Sequence, residues 1–226
     1  MQRAVSLVSV LVLGSAWTLK AFTLEPEPLI PTQDSFDVGQ FMGRWYELAV
    51  VSTCPHYMQR KRGNPAIVAM ELHQIASEGN LTMTSTSSRN GSCKQTSTDY
   101  SLTDTPGRFF HHVARFGADV DSFVVHTDYA HFAMMLQLST EKPSGNKTTI
   151  AKLYSRAMSV GSAVLDNFKT LVGQHGMRDD DIIMNQNKDE CVPGEQTMHV
   201  STQPQRSRRK VVPPVAPAQH EDAGNI

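Results

Sequence analysis

From Gly43 to about Tyr154 the chain is a series of eight short runs, each closed off by turn chemistry, and this limits the fold more than any other feature. The runs are RWYELAVV, AIVAMELHQI, LTMTSTSS, CKQTSTDYSL, RFFHHVARF, SFVVHTD, HFAMMLQL and TTIAKLYS. Between them stand Glu78-Gly79-Asn80, Asn90-Gly91, Pro106-Gly107 and Pro143-Ser144-Gly145-Asn146, and Asn-Gly is a strong signal for a two-residue hairpin. LTMTSTSS alternates as a strand with one buried and one wet face should. CKQTSTDYSL is polar on both faces, which is costly in a sealed core but tolerable around a solvated cavity. The pattern predicts an all-β fold, an eight-stranded antiparallel up-and-down barrel wide enough for one small ligand. Periodicity alone leaves a two-sheet sandwich open.

SVGSAVLDNFKTLVGQHG, residues 159–176, has Val160, Val164, Leu165, Phe168, Leu171 and Val172 at helical spacing. It predicts one C-terminal α-helix packed outside the barrel, with Ser159 as N-cap and Gly176 as stop. From residue 192 to 226 there are five prolines and no Phe, Trp, Tyr or Leu, so this segment reads as a disordered tail. Within it Arg206, Arg208 and Arg209 form a basic cluster suited to a processing protease, in accessible backbone. Residues 1–21 read as a secretory signal peptide: Arg3 supplies the positive start, LVSVLVLGSAW the short apolar core, and Ala16 or Ala21 the cleavage point. No later segment approaches the roughly 20 apolar residues of a membrane helix, so no transmembrane anchoring is expected. The expected location is extracellular.

Three cysteines in an oxidising compartment allow one internal disulfide and leave one thiol over. A formal net charge of −1 gives no drive toward nucleic acid or an anionic membrane. Asn80-Leu-Thr, Asn90-Gly-Ser and Asn146-Lys-Thr are glycosylation acceptor triplets at predicted turns. No Cys or His spacing resembles a zinc site. His111 and His112 are adjacent in a strand, face opposite sides and cannot chelate together.

Gly43-Arg44-Trp45 before the first run, Thr127-Asp128-Tyr129 at the end of the sixth and Arg156 after the eighth resemble the three signature regions of the lipocalins. The resemblance places a lipocalin domain at 36–191, with Trp45 at the closed end of the barrel and Arg156 over it. STCP (52–55), MTSTS (83–87), VVHTDY (124–129), AKLYSRA (151–157) and ECVPGEQ (190–196) are similar to a secreted, haem-binding and radical-scavenging branch of that family. That branch is made as a precursor in which Kunitz inhibitor domains follow a basic cleavage site. Residues 210–226 contain no cysteine, so protease inhibition is not expected of this chain.

The resemblance implies a Cys93–Cys191 disulfide and a free Cys54. Trp45 to Cys54 is roughly 30 Å of extended chain, which carries Cys54 to the open end, and HYMQRKRGNP reads as a loop over the mouth. Arg60, Lys61 and Arg62 would favour its thiolate if they folded back over it. A thiolate there can ligate haem iron or be oxidised through sulfenic acid, and the resemblance implies weak reductase chemistry at Cys54. His56 is the candidate second haem contact. Lys152 matches a lysine that bears small covalent chromophores in the family, and a partly apolar cavity would leave it enough neutral amine to react. Val113 and Ser139 stand where that branch has its other two such lysines.

No single motif joins a nucleophile, a base and an orienting group, so the chain reads mainly as a binding protein. The expected function is a secreted lipocalin that holds a small hydrophobic ligand, haem foremost, and acts against oxidation through Cys54. Two alternatives remain: an interaction protein disulfide-linked to plasma proteins through Cys54, and a transport lipocalin for another apolar molecule.

Overall fold

The computed structural model describes residues 30–187 apart from 76–79, 90, 91 and 143. The segment expected as a signal peptide, Asn90, Cys191 and the C-terminal residues with Arg206, Arg208 and Arg209 lie outside the described residues.

Eight antiparallel strands form the expected barrel: β1 Gly43–Ser52, β2 Val68–Ile75, β3 Asn80–Arg89, β4 Ser92–Leu102, β5 Arg108–Val113, β6 Ala118–Thr127, β7 Phe132–Glu141 and β8 Lys147–Ser155. Each pairs with the next, and β1 pairs with both β2 and β8, so the sheet closes on itself and no sandwich forms. Closure removes the open sheet edges that a flat antiparallel sheet would present. RFFHHVARF is strand only to Val113, because Ala114–Phe116 turn in a 3-10 helix that Gly117 ends in the left-handed region, at φ 56°. The strand expected from Ser122 therefore begins earlier, at Ala118.

The barrel has two apolar layers. Inside, Phe41 of a short first helix, α1 Val38–Phe41, and Trp45, Met70, Leu72, Leu81 and Phe109 are among the side chains that fill the closed half. Outside, Ala49, Val51, Met134, Leu136, Ala151 and Leu153 meet Phe168, Leu171 and Val172 of the C-terminal helix α3, Ser162–Gln174. β1 serves both layers because its register against β8 shifts between Glu47 and Ala49: Trp45 and Glu47 face in, whereas Ala49 and Val51 face the helix. The N-cap of α3 is Gly161 and not Ser159, whose carbonyl instead accepts a hydrogen bond from Ser155 Oγ at 3.1 Å. Gly176, at φ 70°, follows the helix in the conformation that stops it.

Two further elements form the open end. Pro55–Gly63, expected as a loop, is a nine-residue helix, α2, with Pro55 in its first turn, where the missing N–H costs nothing. A short ninth strand, β9 Ile183–Met184, pairs with the upper half of β1. Beside it, Ile67 N donates to Gln186 O at 3.0 Å, so the C-terminal segment fills the wall where β1 and β2 part above Glu47.

Candidate functional site

The closed end is a packed aromatic plug. Trp45 is 1% exposed and donates from Nε1 to Phe41 O at 2.8 Å; the Phe41 ring packs on Trp45 and Phe36 packs edge-on against Phe41, with ring centroids 5.3 Å apart in each pair. The Arg156 guanidinium lies 3.7 Å from the centroid of the Trp45 ring. It also donates to four carbonyls, those of Tyr129, Met42, Arg44 and Gln40, at 2.8–3.0 Å. Gly43 adopts φ +89°, a backbone that only glycine takes without strain, right beside that guanidinium. Thr127 Oγ1 donates to Phe132 O, Asp128 accepts from the N–H groups of His131 and Phe132, and Tyr129 Oη accepts from Asp37 N. The signature residues thus hold the closed end together.

Above the plug the barrel is hollow. A lower chamber of about 30 Å³, walled by Trp45, Leu72, Phe109 and Met135 among others, is almost wholly apolar. Tyr100, Gln137 and the face above them open into an upper chamber of about 610 Å³, within the size range of small-molecule sites. Its walls carry Val113, Phe116, Val120 and Ile150 as apolar surface, with Cys54, His56, Arg60, His111 and Lys152 as the groups able to react or to bind polar atoms.

The fold therefore brings Cys54, His56 and Lys152 to one cavity. Cys54 carries a free thiol, is half-buried and immediately precedes α2, with its N–H held by Ser52 Oγ at 3.0 Å. Cys93, in contrast, is disulfide-bonded. Of the three cations expected over Cys54, only Arg60 lines the chamber: Lys61 turns inward to Glu47 and Arg62 turns outward to Asp181 at 3.1 Å. Val113 and Ser139 line the same chamber, without the amines that the resemblance gives to those positions. His112 faces away and pairs with Asp119 at 2.7 Å, whereas His111 faces in and packs on Tyr100, with ring centroids 4.5 Å apart. Asn146 is exposed in the turn before β8, and Asn80 is the first, half-buried residue of β3.

Lys152 departs from expectation. Its Nζ lies 3.3 Å from Glu47 Oε2, and Glu47, 3% exposed, also accepts from Lys61 and from Asn185 Nδ2. Burial pushes the Glu47 carboxyl up, but Lys152 and Lys61 outweigh it and bring it down to about 2. Burial likewise opposes the Lys152 charge, yet Tyr154, Glu47, Tyr57 and Tyr100 together raise it well above the usual lysine range. Lys152 is thus an ammonium ion, and the neutral amine expected from an apolar cavity is not there, because a buried carboxylate shares that cavity. Sequence reasoning missed Glu47. Its one signal is a lone acid inside the apolar run RWYELAVV, at the same inward parity as Trp45.

A closed eight-stranded barrel with a plugged floor, a roomy upper chamber and a helix packed outside defines a small-molecule-binding lipocalin. Residues 42–189 match the Lipocalin / cytosolic fatty-acid binding protein family model, and the chain belongs to that family. Protein AMBP of Pleuronectes platessa is 46% identical over the whole of this chain and 63% of its own length, and Protein AMBP of Rattus norvegicus is 34% identical over 90% of this chain and 57% of its own. These relatives agree with the resemblance that STCP, AKLYSRA and ECVPGEQ carry, to alpha-1-microglobulin, the lipocalin part of the alpha-1-microglobulin/bikunin precursor. The chain spans less than two thirds of the length of either relative. The fold matches a siderocalin, Ex-FABP, solved as a protein that functions through dual ligand specificities, at a TM-score of 0.56 and 19% identity over 67% of this chain and 97% of that one. Among the described residues no helix is long and apolar enough to cross a membrane, and no cluster of three acidic, His or Cys residues could hold a metal ion.

Proposed function

We propose that this lipocalin is a secreted haem carrier whose Cys54 thiol supplies antioxidant and weak reductase chemistry at the mouth of the barrel. The observation that carries the reading is that the free thiol of Cys54 lines the 610 Å³ chamber together with His56. The donor set suits the group: a thiolate and an imidazole are both iron ligands, and an apolar chamber beside them suits the macrocycle. When bound, haem would supply redox-active iron. The chain's own residues supply the thiol and imidazole at the mouth and, from the neighbouring strand β8, the Lys152 ammonium. A covalent chromophore on Lys152 belongs to the same proposal as a slow side reaction, since its amine must first lose the proton that Glu47 favours.

The test is a haem titration of the purified chain followed by visible absorption, beside Cys54→Ser. A saturable spectral shift is expected, weakened by at least about tenfold in affinity in the variant. An equal shift in both proteins would remove Cys54 from the site, and no shift in either would end the haem reading. The half-buried thiol, flanked by exposed Thr53 and Pro55, also favours a second reading in which Cys54 couples to plasma proteins. Complexes that collapse on reduction in non-reducing electrophoresis, and are absent for Cys54→Ser, are what that reading requires. Secretion, glycosylation at Asn80, Asn90 and Asn146, and processing at the Arg206, Arg208 and Arg209 cluster belong to the same proposal and are read by mass spectrometry of the exported protein.

A further inference from the structure

The near-zero net charge conceals an uneven distribution along the barrel axis. Beyond the Arg44–Glu71 and Arg108–Asp121 pairs, the closed end carries Asp34, Asp37, Asp99, Asp104 and Asp128, while its Arg156 is taken up by the Trp45 ring and four carbonyls. The open end is the reverse. Arg60 and Arg62 of α2, Lys94 of β4, Arg115 of the 3-10 turn after β5, and Lys142 and Lys147 on either side of the β7–β8 turn are all exposed around the mouth. The acids among them are engaged: Asp119 with Lys142 and His112, Glu141 with Ser144 Oγ, and Asp181 with Arg62. A field of one sign over one end orients the molecule toward an anionic surface, even when the total charge is near zero.

A second observation comes from the same rim. Phe116, 52% exposed, is the most exposed large apolar side chain among the described residues, and it stands at the lip of the upper chamber, whose wall it joins. The Arg115 guanidinium lies 5.5 Å from its ring centroid. Lys142 N donates to Gly117 O at 3.0 Å, so the turn that presents the ring is tied to the neighbouring hairpin and held out in water. A fixed aromatic ring among cations suits the interface of a bilayer: the ring reaches the acyl boundary while lysines and arginines stay with anionic headgroups. A soluble polyanion would use the cations and leave the Phe116 ring in water.

We infer that the open end docks on a bilayer surface bearing anionic phospholipid, with Phe116 entering the interface and Arg60, Lys94, Arg115 and Lys147 on the headgroups. Because Phe116 is also chamber wall, this orientation sets the mouth of the barrel against the membrane, where an apolar ligand can pass between the two without crossing water. The inference does not rest on haem being that ligand.

The experiment is co-sedimentation of the purified chain with vesicles of phosphatidylcholine alone and with about one third phosphatidylserine. Any N-glycans are removed first, because Asn146 stands in the same rim. At about 0.1 M salt the chain should partition to the anionic vesicles at least about tenfold more strongly than to the neutral ones, and about 1 M salt should remove the difference. Arg115→Ser should weaken the anionic partitioning about fivefold, the loss of one basic contact, and Phe116→Ser about tenfold. Lys169→Ser removes the same charge from α3, outside the barrel wall, and should change nothing. Phe116→Trp should keep the binding and report it by a blue-shifted emission, since Trp45 is already buried. Equal partitioning to the two vesicles, a preference unaltered in both Arg115→Ser and Phe116→Ser, a loss as large in Lys169→Ser, or an unshifted Phe116→Trp emission would each overturn the inference. Retention on immobilised heparin with no binding to vesicles would do the same and make the occupant a soluble polyanion.

Discussion

The two ends of the barrel use charged and aromatic side chains in opposite ways. At the closed end Arg156 is spent entirely on protein: one aromatic face and four carbonyls take its guanidinium, and Trp45 has its indole N–H satisfied inside the plug. At the open end, in contrast, two lysines share one acid, a histidine nitrogen has no partner, and a thiol stands free. Complete satisfaction marks the end that makes the fold rigid. Incomplete satisfaction beside a 610 Å³ cavity marks the end that is completed by a ligand.

If that division is right, the largest loss of stability comes from the closed end. Trp45→Ala should lower the unfolding free energy by about 4 kcal/mol, because a fully buried aromatic is removed and the Arg156 guanidinium loses its platform. Denaturant unfolding measures it, and a loss under about 1 kcal/mol would break the comparison.

The next effect belongs to Glu47, the one place where the open end is structurally strict. Its folded pKa of about 2 lies below the ordinary 4.5, so its contribution is present above about pH 4.5 and fades as the pH falls toward 2. The two values correspond to about 3 kcal/mol at neutral pH. Glu47→Gln should therefore be less stable by about that much at pH 7, and its stability should fall less steeply than the wild type's between pH 5 and 2. Parallel acid limbs would show that the Glu47 charge is not what links α2, β1 and β8.

Smallest is the outward ion pair of α2. Arg62 and Asp181 are 55% and 47% exposed, and such pairs contribute roughly 0–1 kcal/mol. Arg62→Ala should leave the melting temperature almost unmoved, while a large drop would mean that α2 is fixed to the C-terminal segment mainly from outside.

The closed end was the more legible half. Gly43, Trp45 and Arg156 stand in local motifs, and the strands around them announce themselves by alternation and by Gly, Asn and Pro at the turns. The open end was harder. Residues 55–63 place only Met58 in the core, so they show no apolar stripe, and Pro55 reads equally well as a strand terminator or a helix first turn. A two-residue strand such as β9 has no periodicity to detect. Cys54, His56 and Lys152 could be nominated by residue type and resemblance, yet the state of Lys152 was misjudged because Glu47 lies 105 positions away in the chain and next to it in the fold.

The sequence by itself determined the eight barrel strands and the outer helix through short-range pattern, and the plug through a motif whose partners are interchangeable apolar groups, whereas closure of the sheet and the ninth strand came from tertiary pairing. Tertiary structure alone decided that Glu47 turns inward between two lysines, that Lys152 is an ammonium ion, and that His111 has an unanswered nitrogen. Charge states and hydrogen-bond satisfaction depend on which groups closure brings within a few ångströms of one another, and no local pattern encodes that distance.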